Sequence, residues 1–330
     1  MVSLPFLPSL PTSAAWFNAQ CCLFAQRPVA MIKRFKSRFW IGSAVALLSA
    51  LAFSYSIVLA GVSYRYGANI HALNLGRASA FLGFLLVLVI VRRSSFAMPL
   101  KARLSCLLIG LLLTLEMYLL LGAIQTIPVG LAILILYTYP LLLAVYSWLS
   151  KAQTFSLVAL GLMLLAFSGL MVVLVDAASP PELGGVVLAI GSAFTLAAML
   201  GVSEHSLDRY NNSVVMVHAL VVVMVIVGSL SIAVVELHWP QSNAGWRNFL
   251  GSTFFYVVAT YCLFRAVNLV GPLQTAVIDN TSPVWAMLFG FLLLQEWLSP
   301  LQLIGALMVI LAVMAMQWQQ SGQAKVALDD

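Results

Sequence analysis

Leu273–Met316 reads LQTAVIDNTSPVWAMLFGFLLLQEWLSPLQLIGALMVILAVMAM. Two long apolar helices fit this stretch, with Gln295-Glu296-Trp297 between them as a hairpin. The first helix carries Asp279-Asn280-Thr281-Ser282-Pro283 and the second carries Gly305. The same outline recurs about 143 residues earlier, where Pro140 stands in the place of Pro283 and, after one gap, Gly161 in the place of Gly305. A polytopic membrane protein with two such halves suits the movement of a solute better than catalysis.

Outward from this stretch the chain keeps the same character. Of its 330 residues, 62% are hydrophobic and 8% charged, and the mean hydropathy is +1.04. A soluble domain carries about 25% charged residues, so here the lipid is the solvent. In lipid every backbone group must be satisfied internally, which leaves helices or a closed barrel. The apolar runs are continuous rather than alternating, which excludes the barrel. A span needs roughly 20 apolar residues, and ten runs fit: 41–62, 70–91, 104–123, 127–149, 155–175, 183–203, 214–236, 249–268, 273–294 and 300–318. Proline and glycine punctuate the short breaks at 125–128 and 268–272, as turns require.

Five spans per half is an odd number, so the second half starts from the opposite side of the membrane. The expected fold is therefore an all-α polytopic membrane protein, ten transmembrane helices arranged as two inverted five-helix repeats over 41–175 and 183–318. Residues 1–40 read as an N-terminal segment, disordered or cytoplasmic. A start at Met31 would leave residues 1–30 untranslated in the native protein. Residues 319–330 read as a cytoplasmic tail. With both ends cytoplasmic, 13 of the 16 Lys and Arg fall on the inner side, as the positive-inside rule requires. A multi-pass protein of the plasma or inner membrane is expected. The net charge of +6 then reports topology and contact with the lipid bilayer, not nucleic-acid affinity. Cys21, Cys22, Cys106 and Cys262 show no spacing of a metal site.

The repeat is also legible at single positions. Gly61-Val62-Ser63 is echoed by Gly201-Val202-Ser203. Tyr118 and Ala123 match Tyr261 and Ala266, and Ile135–Pro140 matches Ile278–Pro283. At Ser282–Gly290, Leu294–Leu298 and Gln302–Ala306, and in the first half at Tyr139–Leu142 and Gly161, the chain resembles the EamA-domain family of the drug/metabolite transporter superfamily. In the first half Ser150–Gln153 stands where the family usually has an acidic residue. The resemblance implies ten helices, a central cavity open to one side at a time, and transport of small metabolites without naming one.

Charged residues inside spans cost about 2.5–3.5 kcal/mol each on insertion scales, so each needs a partner or a purpose. Arg77 and Glu116 lie about seven residues from the outer ends of consecutive spans. At 1.5 Å per residue both sit roughly 10 Å deep. Three readings stay open: a static ion pair, a switchable pair in which Arg77 holds a substrate carboxylate or Glu116 carries a proton, or charges facing water. Asp279 can pair with Arg265, or form a proton or cation site with Asn280, Thr281 and Ser282. Pro283 takes the helix donor from the carbonyl of Asp279, and Pro140 does the same for Leu136. Both prolines are candidate helix breaks, and opened helices are where transporters expose backbone to substrate. Among the tyrosines, Tyr118, Tyr137 and Tyr261 are candidate lining residues. On a regular helix Tyr137 and Tyr139 point about 200° apart and do not share a cavity.

No P-loop, His-Glu-x-x-His or nucleophile elbow is present, so no catalytic residue, metal or cofactor is expected. The expected function is a secondary transporter, monomer or homodimer, exporting a small metabolite by alternating access. The solute is an amino acid or related amphipathic compound among other candidates, with protons as a coupling candidate. The alternatives are a multidrug or lipophilic-cation efflux pump, or a membrane scaffold without transport.

Overall fold

The computed structural model describes residues 29–93, 95–142, 145, 157–175, 181–207, 212–233, 236–270 and 272–329. Ten helical segments run through them. These are α1 (Val29–Arg65), α2 (Ile70–Val91), α3 (Leu100–Ala123), α4 (Val129–Leu136, resuming at 139–142 after a turn), α5 (Leu157–Val175), α6 (Leu183–Leu207), α7 (Asn212–Ala233), α8 (Asn243–Val270), α9 and α10 (Pro300–Asp329). Helix α9 is in two pieces, α9a (Pro272–Asp279) and α9b (Ser282–Phe289), the second continuing as a π-helical turn, Gly290–Leu294. Among the described residues there is no strand. Seven stretches are long and apolar enough to cross a membrane, and three shorter ones, Val129–Leu142, Leu160–Val173 and Pro300–Met316, are α4, α5 and α10. The chain is an integral, multi-pass, all-α membrane protein.

Helix α1 begins at Val29, earlier than the span expected from 41, and α10 continues to Asp329 through the expected tail. The disorder expected for residues 1–30 falls almost wholly on 1–28, which lie outside the described residues. So do Cys21, Cys22 and the Ser150–Gln153 departure.

Helix ends show why the chain turns where it does. Asn69 caps α2, its Oδ1 accepting from the Ala72 N–H at 3.0 Å, while its Nδ2 donates to the Glu236 carbonyl at 2.7 Å. At α10 Ser299 and Gln302 form a capping box: each side chain accepts from the other's backbone N–H, at 3.0 and 2.9 Å, with Pro300 at the first helical position. Gln302 also donates to the Val173 carbonyl, tying α10 to α5.

Every residue of α4 from Val129 to Leu136 is buried, the expected setting for a helix apolar all round. Around it α1, α5, α9b and α10 close one core, and α2, α3, α7 and α8 close a second. Large apolar side chains such as Val91, Leu100, Ile232 and Trp318 stand on the outer surface, which a lipid solvent accommodates.

The principal pairings are α1 with α8, α3 with α6, α5 with α10, α2 with α7, α3 with α7, α2 with α8, α1 with α9, α4 with α6 and α4 with α9b. Exchanging each helix for the one five places away leaves this set unchanged, whereas a further pairing, α8 with α9a, has only a weak counterpart between α3 and α4. Small residues set the crossings, because without a hydrophobic drive between helices close packing supplies the attraction. A Cβ on Gly169 or Gly305 would lie 2.6 Å from the other glycine's carbonyl oxygen, so α5 and α10 touch backbone to backbone. At Gly110 a Cβ would meet the Ala219 carbonyl at 2.6 Å, and at Gly76 it would meet Phe249 at 2.8 Å and the Thr253 hydroxyl at 3.4 Å. Gly110 and Thr253 are 143 apart, as are Gly76 and Ala219. Among the described residues a Cβ on Gly83 or Gly161 meets nothing within 4 Å, so neither marks a close crossing.

Candidate functional site

Both α4 and α9 break at the positions expected from Pro140 and Pro283, and they break in the same way. In α4 a turn occupies Tyr137–Thr138, and in α9 it occupies Asn280–Thr281. The Thr138 N–H and hydroxyl both donate to the Ile135 carbonyl, at 3.0 and 2.7 Å; the Thr281 N–H and hydroxyl donate to the Ile278 carbonyl, at 3.0 and 2.8 Å. Leu141 N–H donates to Thr138 at 2.9 Å and Val284 N–H to Thr281 at 3.0 Å. Each proline removes the helical donor to the carbonyl four residues back, Leu136 or Asp279, and at the turn the isoleucine carbonyl one residue earlier accepts from the threonine three residues on.

The two breaks meet. The Tyr137 hydroxyl donates to Asp279 Oδ2 at 2.8 Å, and the Tyr139 ring also interacts electrostatically with Asp279. The turn undoes the regular helical spacing, so Tyr137 and Tyr139 do share a site, packed edge to face with centroids 6.1 Å apart. Asn280 and Ser282 are buried beside them. The Ser54 hydroxyl of α1 lies 2.8 Å from the Ser282 carbonyl oxygen. Arg265 is exposed on α8 and makes no ion pair with Asp279 among the described residues.

A second polar cluster surrounds Arg77, which is 2% exposed. Ser56 of α1 and Ser252 of α8 each donate a hydroxyl hydrogen to the other's carbonyl, at 2.7 and 2.9 Å. Arg77 Nη2 donates to the Ser56 carbonyl, the Ser56 hydroxyl and the Ser252 hydroxyl, at 3.0, 3.1 and 2.8 Å. Its Cζ lies 5.2 Å from the Tyr256 ring centroid, and its Nε has no hydrogen-bond partner. Glu116 interacts with Arg77 and Tyr256 through its charge, but no ion pair within 4.0 Å joins it to Arg77 among the described residues. The static close pair is therefore absent in this conformation. Tyr118 hydrogen-bonds His71 at 3.1 Å, with Asn74 buried alongside.

Residues 183–317 match the model of the EamA-like transporter family. The match covers the second half of the chain, from α6 to α10. No curated protein matches it significantly. Among solved structures, one crystal structure shares 18% identity at a TM-score of 0.58, over 84% of this chain and 97% of that one. That likeness bears on the fold.

The EamA segment reaches into the first half of the chain through its hairpin. Glu296 Oε2 accepts from the Val129 N–H at 2.9 Å, where a negative charge suits the first turn of α4. Arg65 Nη2 donates to the Leu294 carbonyl at 2.9 Å. Burial pushes the Glu296 carboxyl above the ordinary glutamate range, opposed by the Val129 N–H, the Arg65 charge and the Gly130 N–H. The hairpin closes through Gln295 in the left-handed region at φ 56. Gly290 leaves room for the Glu296 carboxylate, which a Cβ there would meet at 3.0 Å.

Of the residues singled out from sequence, Tyr137, Asp279, Asn280, Pro140 and Pro283 gather at the paired breaks. Arg77, Glu116 and Tyr118 lie along the α2–α3 side. Tyr261 belongs to neither group: its ring packs edge to face on Phe84, between α8 and α2. The serines that hold Arg77, and Thr138 at the first break, were not foreseen as site residues; Thr281 was named beside Asp279. The signal was a small hydroxyl cluster within each apolar run, Ser54-Tyr55-Ser56 and Ser252-Thr253.

Proposed function

We propose that this protein is a secondary transporter that exports a small metabolite by alternating access, built from two inverted five-helix repeats. The observation that carries this reading is the pair of broken helices, α4 and α9, joined by the hydrogen bond from Tyr137 to Asp279. Such paired discontinuities near the interface of two halves are where secondary transporters bind substrate and coupling ions. Helix pairings that are unchanged under exchange of the halves support the repeat, because a symmetric frame gives two equivalent end states.

The solute we favour is an amino acid or a related compound carrying both charges. Arg77, with its Nε unpartnered, suits a carboxylate. Glu116, near it but not bonded to it, suits an ammonium. Asp279, held by Tyr137 with Tyr139 beside it, is the proton or cation coupling group. A lipophilic-cation exporter is the second reading, favoured by Glu116 lacking an ion-pair partner among the described residues with Tyr256 nearby. Liposomes reconstituted with the full chain, loaded with a panel of amino acids and with a lipophilic cation, separate the two. Efflux of an amino acid that drops in Arg77→Gln supports the first. Efflux of the cation alone, insensitive to Arg77→Gln, replaces it with the second.

A further inference from the structure

Away from both clusters, a cleft of about 480 Å³ opens between α2, α3 and α7. Its volume lies within the range of small-molecule sites, roughly 300–1,000 Å³. The walls are apolar, formed chiefly by Leu86, Phe96, Leu107 and Val221, and Arg103 and His218 are the polar groups that line it. Leu107 and Val221 are 44% and 46% exposed, so the cleft faces outward, toward the bilayer, rather than into the bundle. His218 Nδ1 lies 2.9 Å from the Val214 carbonyl. A carbonyl only accepts, so Nδ1 carries the proton and Nε2 is left for a partner. Arg103 is exposed and has no ion pair among the described residues.

Along the two stretches that supply the polar groups, charge has one sign. Arg92, Arg93, Lys101 and Arg103 fall within a dozen positions, and no Asp or Glu occurs from Arg92 to Leu115 or along α7. We propose that this cleft is a binding site for one anionic phospholipid, its phosphate on Arg103, a headgroup hydroxyl donating to His218 Nε2, and an acyl chain along the apolar walls. Basic pockets between transmembrane helices suit anionic headgroups. A free phosphate would leave the apolar walls unfilled, whereas a lipid arrives through the open side and covers them. A zwitterionic lipid offers the same chain but no net charge to Arg103.

Native mass spectrometry of the detergent-solubilised full chain, titrated with phosphatidylglycerol or phosphatidylcholine, tests this. Wild type is expected to retain one phosphatidylglycerol in preference to phosphatidylcholine. Arg103→Gln is expected to bind it about fivefold more weakly, the equivalent of one basic charge at about 1 kcal/mol. Val221→Trp, which fills the cleft without changing charge, is expected to lose the bound lipid. Lys101→Gln, the same charge change outside the lining, is expected to keep the one-lipid preference. Equal weakening by Lys101→Gln and Arg103→Gln, or wild-type retention by Val221→Trp, would reduce the effect to general surface attraction and overturn the site. Inorganic phosphate displacing the lipid in the same titration would overturn the lipid as its occupant. If Arg103→Gln does not fold, the Val221→Trp and Lys101→Gln pair decides alone.

Discussion

The break in α4 and the break in α9 share a backbone and differ in chemistry. Ile135 and Ile278, Thr138 and Thr281, and Pro140 and Pro283 occupy matching places and make matching hydrogen bonds. At the three places between, the first half has Leu136, Tyr137 and Tyr139, and the second has Asp279, Asn280 and Ser282. Two breaks alike in backbone are thus furnished differently, aromatic in α4 and acidic and amide-bearing in α9. The difference teaches that opening the helix is the work of Thr and Pro, common to both halves. On the proposed reading, selectivity and coupling belong to the residues that differ.

If coupling resides in the second break alone, Asp279→Asn should cost the most. Losing a charged hydrogen-bond acceptor at about 1.5–3 kcal/mol corresponds to a tenfold to hundredfold fall in flux in reconstituted liposomes, with a flattened dependence on pH. Retained flux with unchanged pH dependence would sever Asp279 from coupling. Arg77→Gln should follow, with about tenfold weaker apparent affinity for carboxylate-bearing solutes and little change for solutes lacking a carboxylate. This follows from losing one charge-assisted contact. Equal loss for both classes would make Arg77 a structural pin between Ser56 and Ser252.

Two stability comparisons sharpen the repeat itself. Gly305→Ala should destabilise by about 1–3 kcal/mol, because its Cβ would press on the Gly169 carbonyl, whereas Gly161→Ala should be close to neutral. Thermal unfolding in detergent reads this, and equal effects would mean α5 and α10 do not cross where the structure has them. Thr138→Val and Thr281→Val should each cost about 1 kcal/mol and be alike. Markedly unequal losses would show that the breaks only look equivalent.

Much of the frame was legible in the sequence because it follows from solvent and length. The second span was read at 70–91, and α2 occupies Ile70–Val91; Pro140 and Pro283 marked both breaks. The site was less legible, because its geometry exists only once the helix has been broken. On a regular helix Tyr137 and Tyr139 diverge; in the turn they meet, and Tyr137 reaches Asp279 on the other half. Equal depth put Arg77 and Glu116 together, but depth carries no azimuth, and Arg77 turns to the α1–α8 seam where Ser56 and Ser252 receive it. Glu296 was placed as a hairpin residue; it caps α4 across the halves, a partner 167 residues away in sequence.

The account's central claim is that the two breaks act as one unit through the hydrogen bond between Tyr137 and Asp279. The most direct test is a double-mutant cycle, with transport measured for Tyr137→Phe, Asp279→Asn and the double variant in liposomes at matched protein content. The account predicts that Tyr137→Phe alone slows transport about fivefold, near 1 kcal/mol, and that it adds nothing once Asp279 is Asn. Coupling residues deviate from additivity in this way. Fully additive losses would contradict the claim and leave the two breaks as separate kinks in a packed bundle.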